Sequence, residues 1–469
     1  MSDAKQLATE IVRTLRERGH QAYFAGGCVR DLLLGHEPAD YDVSTDATPR
    51  QVMQIFPQTF AVGEQFGVVL VPLQHDDSPT TLPGGATGAL ARHGERSNAA
   101  VEVATFRSDV GYSDGRHPDE VRFSKDPRED VQRRDFTING MMLDPATNEI
   151  LDFVGGRDDL KAGIVRAIGE PERRFAEDKL RMLRAVRFAA RFDYKIDPAT
   201  LAAIQRLAAQ IHQVSSERVR EELTKMLTEG RARRAFELLD TTGLLREVLP
   251  EIAAMKGVKQ PPQFHPEGDV FVHTLLLLEK LPAGVSGSVS ASVSKTLAWG
   301  ALLHDVGKPP TFRVAPDRIR FDGHVEVGVK MAAAICRRLR FSNYETDRIL
   351  ALVANHMRFA EVQRMNQSTL KKFLRLPAFD EHLELHRLDC LSSHGQLDSY
   401  EYSREQLRSL PPEAIRPTPL ITGQDLIEAG YEPGPRFKEV LAAVEDAQLE
   451  GRLVSREAAM VYVRREFPV

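Results

Sequence analysis

The stretch that most constrains this chain is Gly26-Gly27-Cys28-Val29-Arg30-Asp31, followed by Asp40-Tyr41-Asp42-Val43. The apolar run Ala22-Tyr23-Phe24-Ala25 reads as a strand, the two glycines as a turn, and Val29 to Leu34 as a helix. Asp40 and Asp42 fall in a segment with strand character, and a strand sends alternate side chains to one face. The two carboxylates are therefore expected to project together and share a divalent cation. Gly26 and Gly27 let backbone amides approach phosphate oxygens, and Arg30 adds positive charge. Taken alone, Asp-x-Asp after Pro38 reads more readily as a surface turn, so the surrounding residues must decide.

They form the string Gly-Gly-x-Val-Arg-Asp, Leu-Leu-Leu-Gly, Pro-x-Asp-x-Asp-Val-x-Thr. It resembles the first motif of the class II tRNA nucleotidyltransferase and bacterial poly(A) polymerase family. That family adds nucleotides to RNA 3′ ends without a template, and the resemblance implies that Asp40 and Asp42 are its catalytic carboxylates. Such chemistry needs Mg²⁺ to activate the attacking hydroxyl and to screen the departing pyrophosphate. Glu102, on the later strand-like run Val101 to Phe106, is a candidate third carboxylate; an exposed strand glutamate is the equally open alternative.

A chain of 469 residues with 42% apolar and 28% charged residues has room for several ordinary globular domains. No run approaches the roughly 18 apolar residues of a membrane span, and the polar N-terminus leads into an amphipathic helix, so the cytoplasm is the expected compartment. Cys28, Cys336 and Cys390 are too scattered for a disulfide framework and are expected to be reduced and buried. A net charge of −5 means that any RNA contact must use a local basic surface, and arginines do cluster between Arg166 and Arg234.

Residues 5–18 read as a helix with Leu7, Ile11, Val12 and Leu15 on one face, and Thr48-Pro49 opens another. Gly67 to Val71 reads as a buried strand, whereas residues 74–99 lose all periodicity and form an insertion. The polar segment Ser108 to Pro118 suits a mobile loop, where the resemblance places the element that helps switch nucleotide choice. The string Asp130-Val131-Gln132-Arg133-Arg134-Asp135-Phe136-Thr137-Ile138-Asn139-Gly140 matches the family's second signature. Arg133 and Arg134 can neutralise triphosphate charge and Asn139 can hydrogen-bond a sugar or phosphate. With Asp135 they are expected to bind nucleotide.

Leu151 to Leu160 reads as a strand end, a glycine turn and a helix start that closes the head. Then Glu177, Asp178 and Arg181 fall at i,i+4 and i,i+3 spacing, on one face of an expected helix, where a surface ion pair is the plain reading. Glu-Asp-x-x-Arg matches the family's amino-acid template, which implies that Asp178 and Arg181 read the incoming base, with Arg184 also nucleotide-facing. C and A both present an amino donor beside a ring nitrogen acceptor, so one such pair can accept both and reject G and U. Ser215 to Leu223 resembles a further family motif, with arginines that read as structural or RNA-facing.

Beyond Val258 to Gln263, histidines take over: His273, His304-Asp305, His324 and His356, then Asp389. Each sits in a helical apolar pattern, which suits a metal site in a bundle core. The set, with Val306-Gly307-Lys308-Pro309 behind it, resembles the HD-domain metal phosphohydrolases. The six-residue form implies one or two divalent transition metals, bridged by Asp305, able to activate water against a phosphomonoester or 2′,3′-cyclic phosphate.

The expected architecture is α+β: a nucleotidyltransferase head with a mixed β-sheet and helices (1–150, with insertion 74–99), an all-α neck and body (151–258), an HD domain (259–400) and a helical tail (401–469). The expected activity is CCA addition to the tRNA 3′ end from CTP and ATP. Poly(A) polymerase, CC-adding and A-adding enzymes share these motifs and remain close alternatives. More distant are an RNA-binding or regulatory protein with vestigial sites, and a protein whose principal activity is the HD hydrolase.

Overall fold

The computed structural model describes residues 2–61, 67–73, 100–111, 119–263, 265–282 and 293–468. The insertion at 74–99 and the middle of the expected mobile loop, 112–118, lie outside them. The chain divides into two compact units, Met1–Ala253 with Pro282–Val293, and Ala254–Leu281 with Ser294–Val469.

The first unit opens with α1 (Asp3–Glu17), whose Ala8, Ile11, Val12 and Leu15 recur at helical spacing and are buried. There follow β1 (Ala22–Ala25), α2 (Gly27–Leu33), β2 (Asp42–Thr45), α3 (Pro49–Ile55), β3 (Phe60–Ala61), β4 (Val68–Pro72) and β5 (Ala100–Thr105). A hairpin of β6 (Arg107–Val110) and β7 (Glu120–Phe123), then α4 (Pro127–Gln132), β8 (Met141–Leu143) and β9 (Ile150–Asp152) complete the head. Thr48 and Gln51 form a capping box and Pro49 takes the first helical position, which sets the start of α3. Seven strands make one mixed sheet in the order β3-β4-β5-β2-β1-β8-β9. β2 pairs with β5 in parallel and with β1 antiparallel, so it lies inside the sheet with partners on both edges.

Two expectations are corrected here. The strand begins at Asp42, and Asp40 lies in the exposed bend ahead of it, because ladder pairing starts only at Asp42↔Glu102 and Val43↔Phe24. The segment from Ser108 is also less irregular than expected, since Arg107–Val110 pairs with Glu120–Phe123 as a hairpin.

After the head come α5 (Gly156–Ala162), β10 (Ile164–Val165), α6 (Pro171–Glu177), α7 (Leu180–Phe192), β11 (Lys195–Ile196), α8 (Pro198–Leu207), α9 (Ser216–Thr228), α10 (Ala232–Thr241), α11 (Leu244–Val248) and α12 (Pro250–Ala253). β10 and β11 form a short parallel pair, so the region expected to be all helical carries a small strand element. Its helices bury Met182, Leu183, Val186, Leu223, Phe236 and Leu239.

The second unit is a helical bundle of α13 (Val270–Glu279), α14 (Lys295–Leu303), α15 (Lys308–Thr311), α16 (His324–Arg338), α17 (Asn343–Asn355), α18 (Gln367–Leu374) and α19 (Phe379–Ser392). A two-stranded hairpin, β12 (Arg313–Val314) and β13 (Ile319–Arg320), interrupts it where helix alone was expected. Trp299 is fully buried, edge-on to Phe341 with centroids 5.0 Å apart. The tail helices Gly423–Glu428, Pro435–Leu449 and Arg456–Glu466 enclose their own core of Leu426, Val440, Val444, Ala459 and Val463. Lys372 of α18 and Arg375 just after it pair with Asp446 and Glu445 of that tail at 2.6 and 2.8 Å.

Candidate active site and metal centre

The head site is built on β2. Tyr41 is buried, edge-on to Phe24 with centroids 5.4 Å apart, which fixes the chain just before Asp42. Asp42 and Glu102 are register partners on adjacent parallel strands and so share a face of the sheet. Burial first, then the charges of Glu102 and Asp40, push the Asp42 carboxyl up to about 7, against the opposing pull of Arg134. Burial also raises Asp40. Asp40 and Glu102 thus act on Asp42 through their charge, but among the described residues the three acids do not converge into one ligand group as those of the second unit do.

Gly26 is required where it stands. Its φ of +78° is left-handed, and a Cβ there would lie 2.8 Å from Nη1 of Arg134 and 3.7 Å from Oδ2 of Asp42. Around this turn opens a cleft of about 530 Å³, a size typical of small-ligand sites. Its lining includes Gly27, Asp42, Asp135, Asn139, Asp178 and Arg181. Eight arginines and three aspartates line it, a strongly positive pocket in a chain of net charge −5.

The arginines are held in place by buried acids. Asp130, fully buried, accepts from Arg133 at 2.9 and 2.6 Å and from Arg134 at 2.9 Å, while Arg134 also donates to Ser44 Oγ at 3.0 Å. Asp135 accepts from Arg184 at 2.8 Å and from Asn139 Nδ2 at 3.0 Å. Burial alone would raise Asp135, but Arg184, Asn139 and Arg181 hold it down to about 2. Arg30 is buried, donates to Asn139 Oδ1 at 2.6 Å and lies over the rings of Phe188 and Phe192, 5.3 and 4.6 Å from their centroids. Asn139 is thus held between Arg30 and Asp135 where it lines the cleft, with one amide N–H and one lone pair left over from these two contacts.

The Glu-Asp-x-x-Arg segment is not one continuous helix, which corrects the expected shared face. α6 ends at Glu177 and α7 starts at Leu180, with Asp178 extended between them at φ −148° and ψ 107°. Its Oδ1 accepts the Leu180 N–H at 3.0 Å, in the manner of a cap. Across the break Arg181 still reaches Glu177 at 2.7 Å and donates to the carbonyls of Arg174 and Arg133 at 3.0 and 2.9 Å. Asp178 pairs instead with Arg218 of α9, through Nη2 at 2.7 Å and Nη1 at 3.2 Å. Sequence reading left Arg218 without a contact, because its partner lies 40 residues away. Arg187 and Arg191 also line the cleft and were missed, although their spacing from Arg184 along α7 was a visible signal.

In the second unit the histidine set converges. Nε2 of His273 lies 3.1 Å from Asp389 Oδ1, and Nε2 of His304 lies 3.1 Å from Asp305 Oδ2. On the other side, Nε2 of His324 and of His356 lies 3.9 and 3.7 Å from Asp305 Oδ1. Among the described residues His273, His304 and Asp389 form one possible ligand group, Asp305, His324 and His356 a second, and His265, Glu267 and His273 a third. The donors fit metal for a further reason: Nε2 of His304, His324 and His356 is buried without a hydrogen-bond partner among the described residues, while each Nδ1 faces a backbone carbonyl. A carbonyl only accepts, so Nδ1 carries the proton and Nε2 offers its lone pair. Nitrogen and oxygen donors together suit a transition ion.

Burial and neighbouring charged groups give these residues contrasting acidities. His356 falls to about 4, chiefly through burial. For His273 burial pulls the same way, but Asp389 and Glu267 outweigh it and hold the ring at about 9. Lys308, itself buried, pairs with Asp305 at 2.6 Å, and Asp305 stays well below the usual carboxylate range despite its burial because His304 and Lys308 stand beside it.

These features define a polymerase-type nucleotidyltransferase head, with a helical neck and body, and a helical unit carrying an HD-type ligand set. Residues 22–166 match the Poly A polymerase head domain, 193–256 the probable RNA and SrmB-binding site of polymerase A, and 272–389 the HD domain. The chain belongs to the class II tRNA nucleotidyltransferase and poly(A) polymerase family and carries a C-terminal HD domain.

Among its relatives, a CCA-adding enzyme of Lactobacillus helveticus is 38% identical over 280 residues, 59% of this chain and 64% of that protein. A CCA-adding enzyme of Levilactobacillus brevis is 29% identical over 459 residues, 97% of this chain and 96% of that one. Several other matched relatives, such as that of Geobacillus stearothermophilus, are spanned over about half their length (55%). The crystal structure of the Bacillus stearothermophilus CCA-adding enzyme in complex with CTP aligns over 99% of this chain and 98% of that one, with a TM-score of 0.71 and 27% identity. Among the described residues no helix is long and apolar enough to cross a membrane.

Proposed function

We propose that this chain is a template-independent RNA nucleotidyltransferase that adds or repairs the 3′-terminal CCA of tRNA from CTP and ATP, acting in the cytoplasm. One observation carries the reading: Asp42 and the Asp178–Arg181 pair line the same arginine-rich cleft. A phosphoryl-transfer centre and a base-reading pair are thus within reach of one bound nucleotide.

Asp42, Asp40 and Glu102 would hold Mg²⁺, whose chemistry is to lower the pKa of the RNA 3′-hydroxyl and neutralise charge on the leaving pyrophosphate. The hydroxyl oxygen attacks the α-phosphorus, the bond to the bridging oxygen breaks, and pyrophosphate departs. Arg133 and Arg134, oriented by Asp130, bind the phosphates, while Gly26 and Gly27 allow the backbone close to them. Asp135 and Arg184 brace the cleft floor, and Asp178 and Arg181 read the base edge.

Purified protein given tRNA lacking its 3′ end should add two C residues from CTP alone, and C, C and A from CTP with ATP. Long A tracts from ATP alone would replace this reading with a poly(A) polymerase. The HD unit is read as a metal-dependent phosphohydrolase, supported by the two converging ligand groups. Release of phosphate from a monoester, or ring opening of a 2′,3′-cyclic nucleotide, should be lost in His304→Ala while nucleotide addition persists.

A further inference from the structure

Three of the four metal-facing histidines are oriented in the same way. Nδ1 of His304, His324 and His356 lies 2.8, 2.9 and 2.8 Å from the carbonyl oxygens of Ala301, Phe321 and Val353, each three residues upstream. These residues stand at helix ends. His304 follows α14, His324 opens α16 and His356 follows α17, where carbonyls have no ladder partner or lie outside the ladder.

His273 has no such carbonyl. It is the fourth residue of α13, its own N–H is bonded to Asp269 O at 2.9 Å, and the carbonyl of Val270 already accepts from Thr274 Oγ1 at 2.9 Å. Its Nδ1 instead lies 2.8 Å from Oε1 of Glu267, an ion-pair separation, both ring nitrogens of His273 being buried without a hydrogen-bond partner among the described residues; the same oxygen lies 2.9 Å from Nδ1 of His265. The Glu267 side chain is 5% exposed.

The segment carrying Glu267 is pinned on both sides. Gln260 N–H donates to Gly268 O at 3.1 Å, Val270 N–H to Val258 O at 3.0 Å, and Gly257 N–H to Asp269 Oδ2 at 2.7 Å. Asp269 also caps α13 through the Val272 N–H at 3.0 Å. Gln260 accepts from Lys308 Nζ at 2.6 Å, which ties the same segment to Asp305 through that lysine.

We propose that Glu267 is the positioning residue of the metal centre: its carboxylate stands beside Nδ1 of His273, which leaves Nε2 to face the ion shared with His304 and Asp389, and His265 braces the carboxylate. The inference rests on the reading of the histidine set as a metal site. Glu267 lies outside the matched HD segment, 272–389. The consequence is an asymmetric dependence. The ion held with His273 relies on Glu267, whereas the ion held by His324 and His356 relies on backbone carbonyls alone.

The test uses the full chain, stripped with a chelator and titrated with Mn²⁺ or Co²⁺, with calorimetry and elemental analysis as readouts. The parent should bind two ions. Glu267→Ala should weaken one of them about 10- to 100-fold, the usual range for an outer-shell partner, and leave the other within about twofold. Glu267→Gln, whose amide oxygen keeps an acceptor beside Nδ1, should recover most of the affinity. In the Mn²⁺-loaded parent the paired ions should couple magnetically, and one equivalent added to Glu267→Ala should not produce that signal.

Affinities unchanged at both sites in Glu267→Ala would overturn the proposal. So would equal loss at both sites with no rescue by glutamine, which is plain misfolding. Loss of a third ion, held by His265, Glu267 and His273 while the pair stays intact, would make Glu267 a ligand instead. A parent that binds no ion would overturn the metal reading itself.

Discussion

Replacing Asp42 by asparagine tests the head acid cluster without altering its shape. The Asp42 carboxyl is pushed up to about 7 by burial first, then by Glu102 and Asp40, whereas an aspartate in an unfolded chain titrates near about 3.9. The native state therefore holds the proton more tightly. That favours folding fully below about pH 4, and the advantage is lost as the pH rises through about 7. Three pKa units at about 1.36 kcal/mol each set an upper bound of about 4 kcal/mol. Asp42 lines an open cleft that water enters, so about 2 kcal/mol is the expected expression of it.

Asparagine cannot ionise. In chelator at pH 8, Asp42→Asn should be more stable than the parent by about 2 kcal/mol, with the difference fading to about zero by pH 4. Urea unfolding across that range reads both values. In saturating Mg²⁺ the order should reverse, because the parent gains binding free energy that the variant cannot. A variant no more stable than the parent at pH 8, or displaced equally at both pH values, would refute the placement of Asp42 among competing acids. Incorporation of nucleotide by the variant should be lost under all conditions.

Other substitutions follow from particular contacts. Arg187 is buried and pairs with buried Glu222 at 2.7 Å, so Arg187→Leu should cost about 3 kcal/mol in urea unfolding by leaving a buried charge short of its main partner. Arg218→Lys keeps the charge but loses the fork on Asp178; single-nucleotide extension should fall on the order of tenfold for CTP and ATP, with narrower discrimination against GTP and UTP. A Cβ on Gly307 would meet the His324 carbonyl oxygen at 2.0 Å and Gly328 N at 2.6 Å, so Gly307→Ala should lower the thermal midpoint and abolish metal uptake by the HD unit. Asp305→Asn should lose both ions by elemental analysis, since Asp305 faces His304 on one oxygen and His324 and His356 on the other.

What could be read from the sequence was local. The turn at Gly26, the α3 start at Thr48-Pro49 and the alternating burial of Val101, Glu102 and Val103 depend on neighbours within a few residues, and short patterns report such neighbours well. The Asp178 break was not legible. Glu177, Asp178 and Arg181 carry helical spacing, and what extends Asp178 is the distant Arg218 on α9 together with its own cap on Leu180. Asp40 failed similarly, because strand spacing says nothing about where ladder partners begin. In the second unit the histidine pattern was visible as chemistry and Lys308 as part of its motif, but Glu267 and the contacts of Gln260 and Lys308 were not. These residues matter through contacts with residues distant in sequence or in no regular spacing, and such contacts leave no period behind.

If the proposed function holds, selecting a base without a template strand demands that the reading groups be fixed before the nucleotide arrives, and hydrogen-bond accounting shows how Asp178 and Arg181 are held. Arg181 carries five N–H groups and commits three, to Glu177 and to the carbonyls of Arg174 and Arg133. Asp178 offers about four acceptor positions and commits three, two to Arg218 and one to the Leu180 amide. What remains on the pair is a donor edge and a single acceptor, each held by partners that do not involve the substrate. C and A bring an amino donor and a ring nitrogen acceptor to meet them. G and U bring a carbonyl and a ring N–H, which would set oxygen against the carboxylate and N–H against the guanidinium, leaving desolvated groups unpaired on both sides. On the proposed function, the contacts around Asp178 and Arg181 would serve selection by leaving free the donor edge and the acceptor that C or A would complete.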